Sequence, residues 1–528
     1  MPHSSQAHPP PTSSDPVVTT TVGRVSGEVH DGVLRFQGVP YAAPPVGPRR
    51  YRLPESPDPW DGVRPCTTPG PSALQGTPRR VANDHYPLPE AQDEDCLYLN
   101  LWTSGTDEAR RPVFVYVHGG GYFLGSATSE YLDGAAYARE DIVFLSITYR
   151  LNGLGFLHLD ELFDGMQSTG NLGIQDVIRS LEWVQENIAA FGGDPSRVTV
   201  GGHSSGGLTT VALLASPRAQ GLFHRAVPVS CAAGHNTLTA PVATAVARRV
   251  LREVGIEPGD IQALLAAPAR SLLVPNTIVG ELHEIAGGHP LDPVADGRLL
   301  HERAIDALRA GQGASVDLLI GTTTEEFRLI VFDEHGEVRD EPLAMGVSAA
   351  GLDYMGLFEG SALTREQIEE VYGRSLTAGG REHNAAELFA AAGSDHVMFN
   401  PSAEAAAAHA ANGGRSYAYR FAWRPPAGGG LVGAQHGNDI PFFFHRPNTG
   451  QWRHVFCGAA PLDLGHAYFQ AIVAFTRSGD PSHDGLPHWP RYEASRRATM
   501  MFDTTTTLVE DPERERRELM EAAGAYRD

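Results

Sequence analysis

Gly202-His203-Ser204-Ser205-Gly206 places a serine between two glycines, with RVTVGG before it and LTTVALLA after it. A serine hydroxyl becomes a nucleophile only when a neighbouring base removes its proton. A G-x-S-x-G pentapeptide does this chemistry when it forms a sharp strand-to-helix turn that lifts the hydroxyl above a sheet. With 58 glycines in 528 residues, the pentapeptide is expected by chance roughly 0.3–0.4 times, so its surroundings must carry the reading. Those surroundings fit: an apolar run ends at Gly202, and Leu208, Val211 and Leu214 continue at helical spacing beyond Ser204.

Attack on an ester carbonyl creates an oxyanion, which needs preorganised donors. His118-Gly119-Gly120-Gly121 follows an earlier apolar run, PVFVYV, where backbone amides can serve that purpose. The amides of Gly120, Gly121 and Ser205 are the predicted oxyanion hole. In the order Ser, acid, His, the acid is sought next, and Glu326 follows the run SVDLLIG. The same Thr323-x-x-Glu326 spacing equally fits a helix capping box. Ten histidines follow Glu326, so order alone leaves the base open. His436, in the small-residue loop GAQHGNDIPFFF, is the candidate whose surroundings suit a ring reaching into a pocket.

The elements that must hold these residues are legible as rhythm. PVFVYVHGGG, DIVFLSITYR, RVTVGG and SVDLLIGTTT are apolar on both faces, as strands of a parallel sheet covered on both sides are. NLGIQDVIRSLEWVQENIAAFGG between the second and third predicts a helix ended by Gly192-Gly193. The segment from Val22 alternates about His30-Asp31-Gly32 and predicts antiparallel N-terminal strands. The predicted fold is α/β, a large mostly parallel sheet with helices on both faces and a helical insertion near 330–420. Residues 1–17 read as a disordered Pro-rich tail and 18–528 as one domain. The charges of the C-terminal PERERRELMEAAGAY read as a solvated helix face.

Composition narrows the partners. A net charge of −22 argues against nucleic acid and anionic membrane surfaces. No apolar run spans a bilayer, and the start lacks the charged and apolar regions of a signal peptide. Four cysteines without CxxC spacing make neither a disulfide framework nor a zinc site, so the expected location is cytoplasmic, with no metal and no membrane anchor. Oligomeric state is not readable.

Taken together, these motifs resemble those of the type-B carboxylesterases, the group that includes bacterial para-nitrobenzyl esterases and cholinesterases. FQGVPYAAPPVGPRRYRLP, EDCLYLNLW, HGGGYFLGS, TYRLNGLGFL, GLFHRAVPVS, GTTTEEF and HGNDIPF carry the resemblance, as do the elbow and TRSGDPSHDGLPHWPRYEASRRATMMFD; together they span about residues 20–505. The resemblance implies an α/β-hydrolase fold and an acyl-serine mechanism without cofactor on a small-molecule ester. It assigns the nucleophile to Ser204, the acid to Glu326 and the base to His436. The sequence departs from the family at His203, where Glu is typical, at Ser205, where Ala is usual, and at Val177 after Asp176. It also has Ala73 where many members pair a cysteine with the one at Cys96, leaving Cys96 as a buried thiol. Tyr122, Phe123, His203 and Phe327 are candidate substrate-pocket residues, while Phe442, Phe443 and Phe444 read as core. Two other readings share the motifs: an acyl-transferring, lactone-forming or lactone-opening enzyme, and an esterase-like binding protein without catalysis.

Overall fold

The computed structural model describes residues 15–76, 89, 91–333, 337–338, 363–450 and 452–522. Eleven described strands form one sheet: β1 (Glu28–His30), β2 (Val33–Pro40), β3 (Tyr98–Thr103), β4 (Arg111–Val117), β5 (Val143–Ile147), β6 (Gly193–His203), β7 (Arg225–Val229), β8 (Asp317–Thr323), β9 (Ser416–Phe421), β10 (Ala498–Phe502) and β11 (Thr507–Glu510). Their spatial order is β11-β10-β9-β8-β7-β6-β4-β5-β3-β2-β1. Pairs from β5 through β10 are parallel, and the N-terminal strands and β11 add antiparallel edges. The four runs read as buried strands are β4, β5, β6 and β8, and the Asp31-Gly32 turn closes the β1–β2 hairpin.

Both faces are covered because side chains alternate along each strand. Val113, Val115 and Val117 of β4 enter one core cluster, and Phe114 and Tyr116 enter the other. The first cluster takes the apolar stripe of α1 (Leu172–Asn187), where Ile174, Val177, Ile178, Leu181 and Val184 are buried. Val177 is therefore core. Asp176 beside it is clamped by Arg150, whose Nε and Nη2 donate to the two carboxylate oxygens at 2.8 and 2.6 Å. The second cluster holds Phe442, Phe443 and Phe444 with Tyr468, Ile472 and Phe475 of α3 (Leu462–Ser478), as read from the sequence.

Two strands had no clear signal. β9 (SYAYRF) has the look of a half-exposed strand, yet all six residues are buried, Arg420 included. β7 contains Pro228, and proline is expected at sheet edges. It sits centrally all the same, because the ladder to β8 skips Val227 and Pro228.

The insertion lies between β8 and β9 and includes the helices Arg365–Ala378, Ala385–Gly393 and Asn400–Ala411. The C-terminal helix Arg514–Ala522 bears out the solvated-face reading for Arg514, Glu515, Glu518 and Glu521, which are exposed, and corrects it for Arg516 and Arg517. Arg516 is buried, donating to both oxygens of Asp395 at 2.6 and 2.7 Å, and Met520 enters the core of the insertion. Its charges thus lock the chain end onto the insertion. Most of the expected N-terminal tail lies outside the described residues, but Val17 already opens a strand, Val17–Thr19, paired with Arg24–Ser26. Cys66, Cys96 and Cys231 are buried thiols. Among the described residues no helix is long and apolar enough to cross a membrane.

Candidate active site

Ser204 stands where β6 ends and α2 (Ser205–Ala215) begins, with φ 58° and ψ −123°. Such a conformation is strained for a residue with a Cβ and persists only where the surroundings impose it. Here the Ser204 N–H donates to the Val229 carbonyl and its own carbonyl accepts from Leu208, both at 2.9 Å. A Cβ on Gly202 or Gly206 would collide with the carbonyl oxygen of Val117. The two glycines let β4 approach the turn closely and leave the serine as the residue that must bend.

Glu326 follows the end of β8 and is 1% exposed. Its Oε1 accepts from the Thr323 N–H at 2.7 Å, and its Oε2 lies 2.6 Å from His436 Nδ1. The His436 N–H also donates to the Glu326 carbonyl at 3.3 Å. Glu326 Oε1 reaches back to the Thr323 N–H, but the capping box does not form: Thr323 ends β8, its Oγ1 has no hydrogen-bond partner among the described residues, and the next helix begins at Arg328. The second Glu326 oxygen meets an imidazole. With Nδ1 donating to the carboxylate, a neutral His436 ring keeps Nε2 unprotonated.

Sequence reasoning missed the part played by Glu325. It pairs with Arg381 at 2.7 Å and Arg424 at 2.9 Å and accepts from the Ala434 N–H at 2.8 Å. Burial pushes its carboxyl up, but the surrounding arginines outweigh that and hold it below its ordinary range. Glu325 therefore tethers the loop that delivers His436, two residues beyond Ala434. Adjacent glutamates of the same type gave no signal that would separate these roles.

Ser204, His203 and His436 line a cavity of about 640 Å³ with Gly119 and Gly120. Gly120 (φ 122°) and Gly121 (φ 59°) hold left-handed backbone, and Ser205 opens α2, so its amide is one of the unpaired donors at a helix start. Of the four residues predicted to form the substrate pocket, His203 alone is among those lining this cavity. Tyr122 is fully buried against Phe156, Phe123 packs on His289, and Phe327 belongs to the core of the insertion. Tyr131, Leu329, Ile440 and Trp452 line it instead.

His203, the departure beside the nucleophile, lies with its ring centroid 4.3 Å from that of His436. Burial, with the neighbouring His436 second, holds it well below the ordinary histidine range. It is a neutral ring at neutral pH, so this site has no carboxylate next to Ser204.

Asp439, three residues after His436, is fully buried, and Tyr468 Oη lies 3.3 Å from its Oδ2. Burial first, then the charge of Glu326, push its carboxyl up to about 7. The folded protein therefore keeps a proton there that the unfolded chain releases near pH 4. The stability this contributes is present below that value and is lost as pH rises through about 7. Asp439→Asn should accordingly gain stability over the wild type progressively from pH 4 upward. The gain should level off above pH 7 at no more than about 4 kcal/mol. Denaturation midpoints of both proteins at pH 5 and pH 8 check this; an equal difference at both pH values contradicts it.

An open, mostly parallel sheet with a serine on a strained strand-to-helix turn, an acid after a later strand and a histidine beyond it defines an α/β-hydrolase. Residues 14–520 match the carboxylesterase family. The para-nitrobenzyl esterase of Bacillus subtilis (strain 168) is 32% identical over 506 residues, covering 95% of this chain and 98% of that one. The phenmedipham hydrolase of Pseudarthrobacter oxydans is also 32% identical, covering 92% of this chain and 94% of its own. The structure of the Geobacillus stearothermophilus carboxylesterase EST55 at pH 6.2 superposes with a TM-score of 0.81 at 34% identity, over 95% of this chain and 99% of that one. The chain belongs to the carboxylesterase family and is a carboxylic-ester hydrolase.

Proposed function

We propose that the chain hydrolyses carboxylic esters through an acyl-serine intermediate with Ser204, His436 and Glu326 as its triad. The observation that carries this reading is the 2.6 Å contact between His436 Nδ1 and the buried Glu326 carboxylate, with His436 and Ser204 lining the same cavity. His436 Nε2 takes the Ser204 proton as the hydroxyl attacks the ester carbonyl, and Glu326 stabilises the imidazolium that forms. The amides of Gly120, Gly121 and Ser205 hold the oxyanion. His436 then gives its proton to the departing alcohol, and water activated by the same ring releases the acid. Each step uses groups of the chain and water alone. Para-nitrobenzyl esters, named for a relative that this chain matches along almost its whole length, are a suitable assay substrate.

Intact mass after exposure to a fluorophosphonate tests the reading. Wild type should gain one phosphonyl adduct, and Ser204→Ala should gain none. An adduct that persists in Ser204→Ala, or none on folded wild type, would rule out Ser204 as the nucleophile. No particular observation favours acyl transfer over hydrolysis, so water is the proposed acceptor.

A further inference from the structure

The chain from Gly119 to Gly125 is bent in a way that backbone resists. Gly120 and Gly125 have φ 122°, and Gly121 and Tyr122 have φ 59°. So much left-handed backbone in one short segment persists only where the surroundings hold it. The segment also lies hard against the nucleophile, since a Cβ on Gly119 would stand 3.0 Å from that of Ser204.

Where its amides point follows from where its carbonyls are held. The peptide bonds are trans, so each N–H points opposite to the carbonyl of its own peptide plane. The Gly119 carbonyl accepts from His118 Nδ1 at 2.9 Å. Gly125 backs it so closely that a Cβ there would come within 2.2 Å of the oxygen. The Gly120 N–H, in the same peptide plane, is thereby kept on the side away from Gly125. Gly120 itself lines the cavity that holds Ser204.

Gly125 is the backstop of that peptide, and Gln75 holds Gly125. Gln75 is 2% exposed and lines the same cavity. Its Oε1 accepts from the Gly125 N–H and its Nε2 donates to the Gly125 carbonyl, both at 2.9 Å. The second Nε2 hydrogen goes to the Ala73 carbonyl at 3.1 Å. The carboxamide therefore exchanges both bonds with Gly125, as a residue of a paired strand would. Among the described residues nothing else bonds to either backbone group of Gly125. Next to it, the Ser72 and Ser126 hydroxyls meet at 2.6 Å, so the two segments are joined at two points.

We infer that Gln75 is a positioning residue of the oxyanion hole: its pairing with Gly125 keeps the Gly119–Gly120 peptide turned so that the Gly120 N–H serves the oxyanion. The inference rests on the proposed role of that amide. A side chain that cannot pair leaves two buried backbone groups of Gly125 unsatisfied. Gly125 then moves off the Gly119 carbonyl to find other partners, and the strained peptide it backed turns over. A carbonyl comes to stand where the donor stood. Gln75 thus acts through Gly125 and not on the reacting atoms.

The test reads inhibition by 1,1,1-trifluorooctan-2-one. The Ser204 oxygen adds to its carbonyl carbon, the serine proton passes to His436, and the ketone oxygen becomes an oxyanion in the hole. Octan-2-ol has no carbonyl and reports on the rest of the cavity. Both inhibition constants are measured for wild type, Gln75→Leu and Gln75→Met, which keep the bulk and lose the pairing. Titration to completion with a fluorophosphonate counts active sites, so kcat is taken per folded enzyme. In both variants the ketone constant should rise, and kcat/KM on a 4-nitrophenyl ester should fall, by roughly a hundredfold, the effect of losing one oxyanion donor. The alcohol constant should stay within about threefold of wild type. A ketone constant within about threefold of wild type, in whichever variant folds, overturns the inference. An equal rise for the alcohol overturns it too, because the cavity as a whole would then have changed. Fluorophosphonate labelling of wild type separates the two levels. Labelling at Ser204 with an unchanged ketone constant in the variants removes only the role of Gln75, whereas absence of labelling removes the hydrolase mechanism and this inference with it.

Discussion

His436→Ala should lower kcat on a 4-nitrophenyl ester by roughly a million-fold, the scale on which a serine hydrolase loses activity without its base. The proposed mechanism asks this ring for two proton transfers, and among the described residues no second group is placed to make them. His203 is the obvious substitute, with its ring 4.3 Å from that of His436. It differs in what stands behind it. His436 has the Glu326 carboxylate at 2.6 Å on Nδ1, whereas His203 is buried, held neutral, and its Nε2 has no hydrogen-bond partner among the described residues. An imidazole that cannot be stabilised when charged is a poor base. Steady-state rates over several enzyme preparations, with Ser204→Ala as the floor, measure the effect. Residual activity within a hundredfold of wild type would show that another base serves Ser204 and that Glu326 orients something other than the catalytic ring. Added imidazole should restore part of the rate, since the cavity of about 640 Å³ has room for it.

Glu326→Gln should cost about ten thousand-fold in kcat while leaving the fold intact, the loss seen when an orienting carboxylate becomes an amide. The reason here can be traced atom by atom. Glu326 uses one oxygen to accept from the Thr323 N–H and the other to accept from His436 Nδ1. Glutamine has one oxygen and one NH2, so it can satisfy only one of these donors. The Thr323 amide cannot change its hydrogen, but the imidazole can change its tautomer. The introduced amide therefore keeps its oxygen on Thr323 and turns its NH2 to Nδ1, which places the ring proton on Nε2 and removes the lone pair that should receive the Ser204 proton. The expected signature is a large loss in kcat with a similar loss in the rate of fluorophosphonate labelling and a denaturation midpoint close to wild type. A glutamine variant that labels at the wild-type rate would show that Glu326 serves only to accept from the Thr323 amide.

Ser204 differs from Glu326 and His436 in how far its own stretch of sequence announces it. Ser204 and the glycines around it are local: a turn of five residues, the apolar run before it and the helical spacing after it lie within about twenty positions. Steric demand is written there directly, since a side chain at Gly202 or Gly206 would strike the Val117 carbonyl. The strands β4, β5, β6 and β8 and the helix α1 were legible for the same reason, because periodicity records which faces are dry. Family likeness in the motifs added the fold and the chemistry.

Contacts between distant segments are a different matter. Glu326 and His436 are separated by 110 positions, and nothing in either segment's pattern names the other. Glu325 and Glu326 are the same residue type side by side, yet one faces Arg381 and Arg424 and the other faces an imidazole. Which way each points is set by the turn that follows β8, a tertiary fact. Apolar residues near a motif were equally ambiguous, because burial in the core and exposure to the cavity leave the same trace in sequence. So Tyr122 and Phe327 went to the core, while Tyr131 and Trp452 came to the cavity wall. The charges of the C-terminal helix followed the same logic. Arg516 looks solvated until Asp395, 121 positions earlier, supplies the buried partner that offsets its desolvation. Local sequence carries the steric and periodic constraints of short segments; the pairing of charges, the choice among ten histidines and the shape of the cavity arise when the sheet brings those segments together.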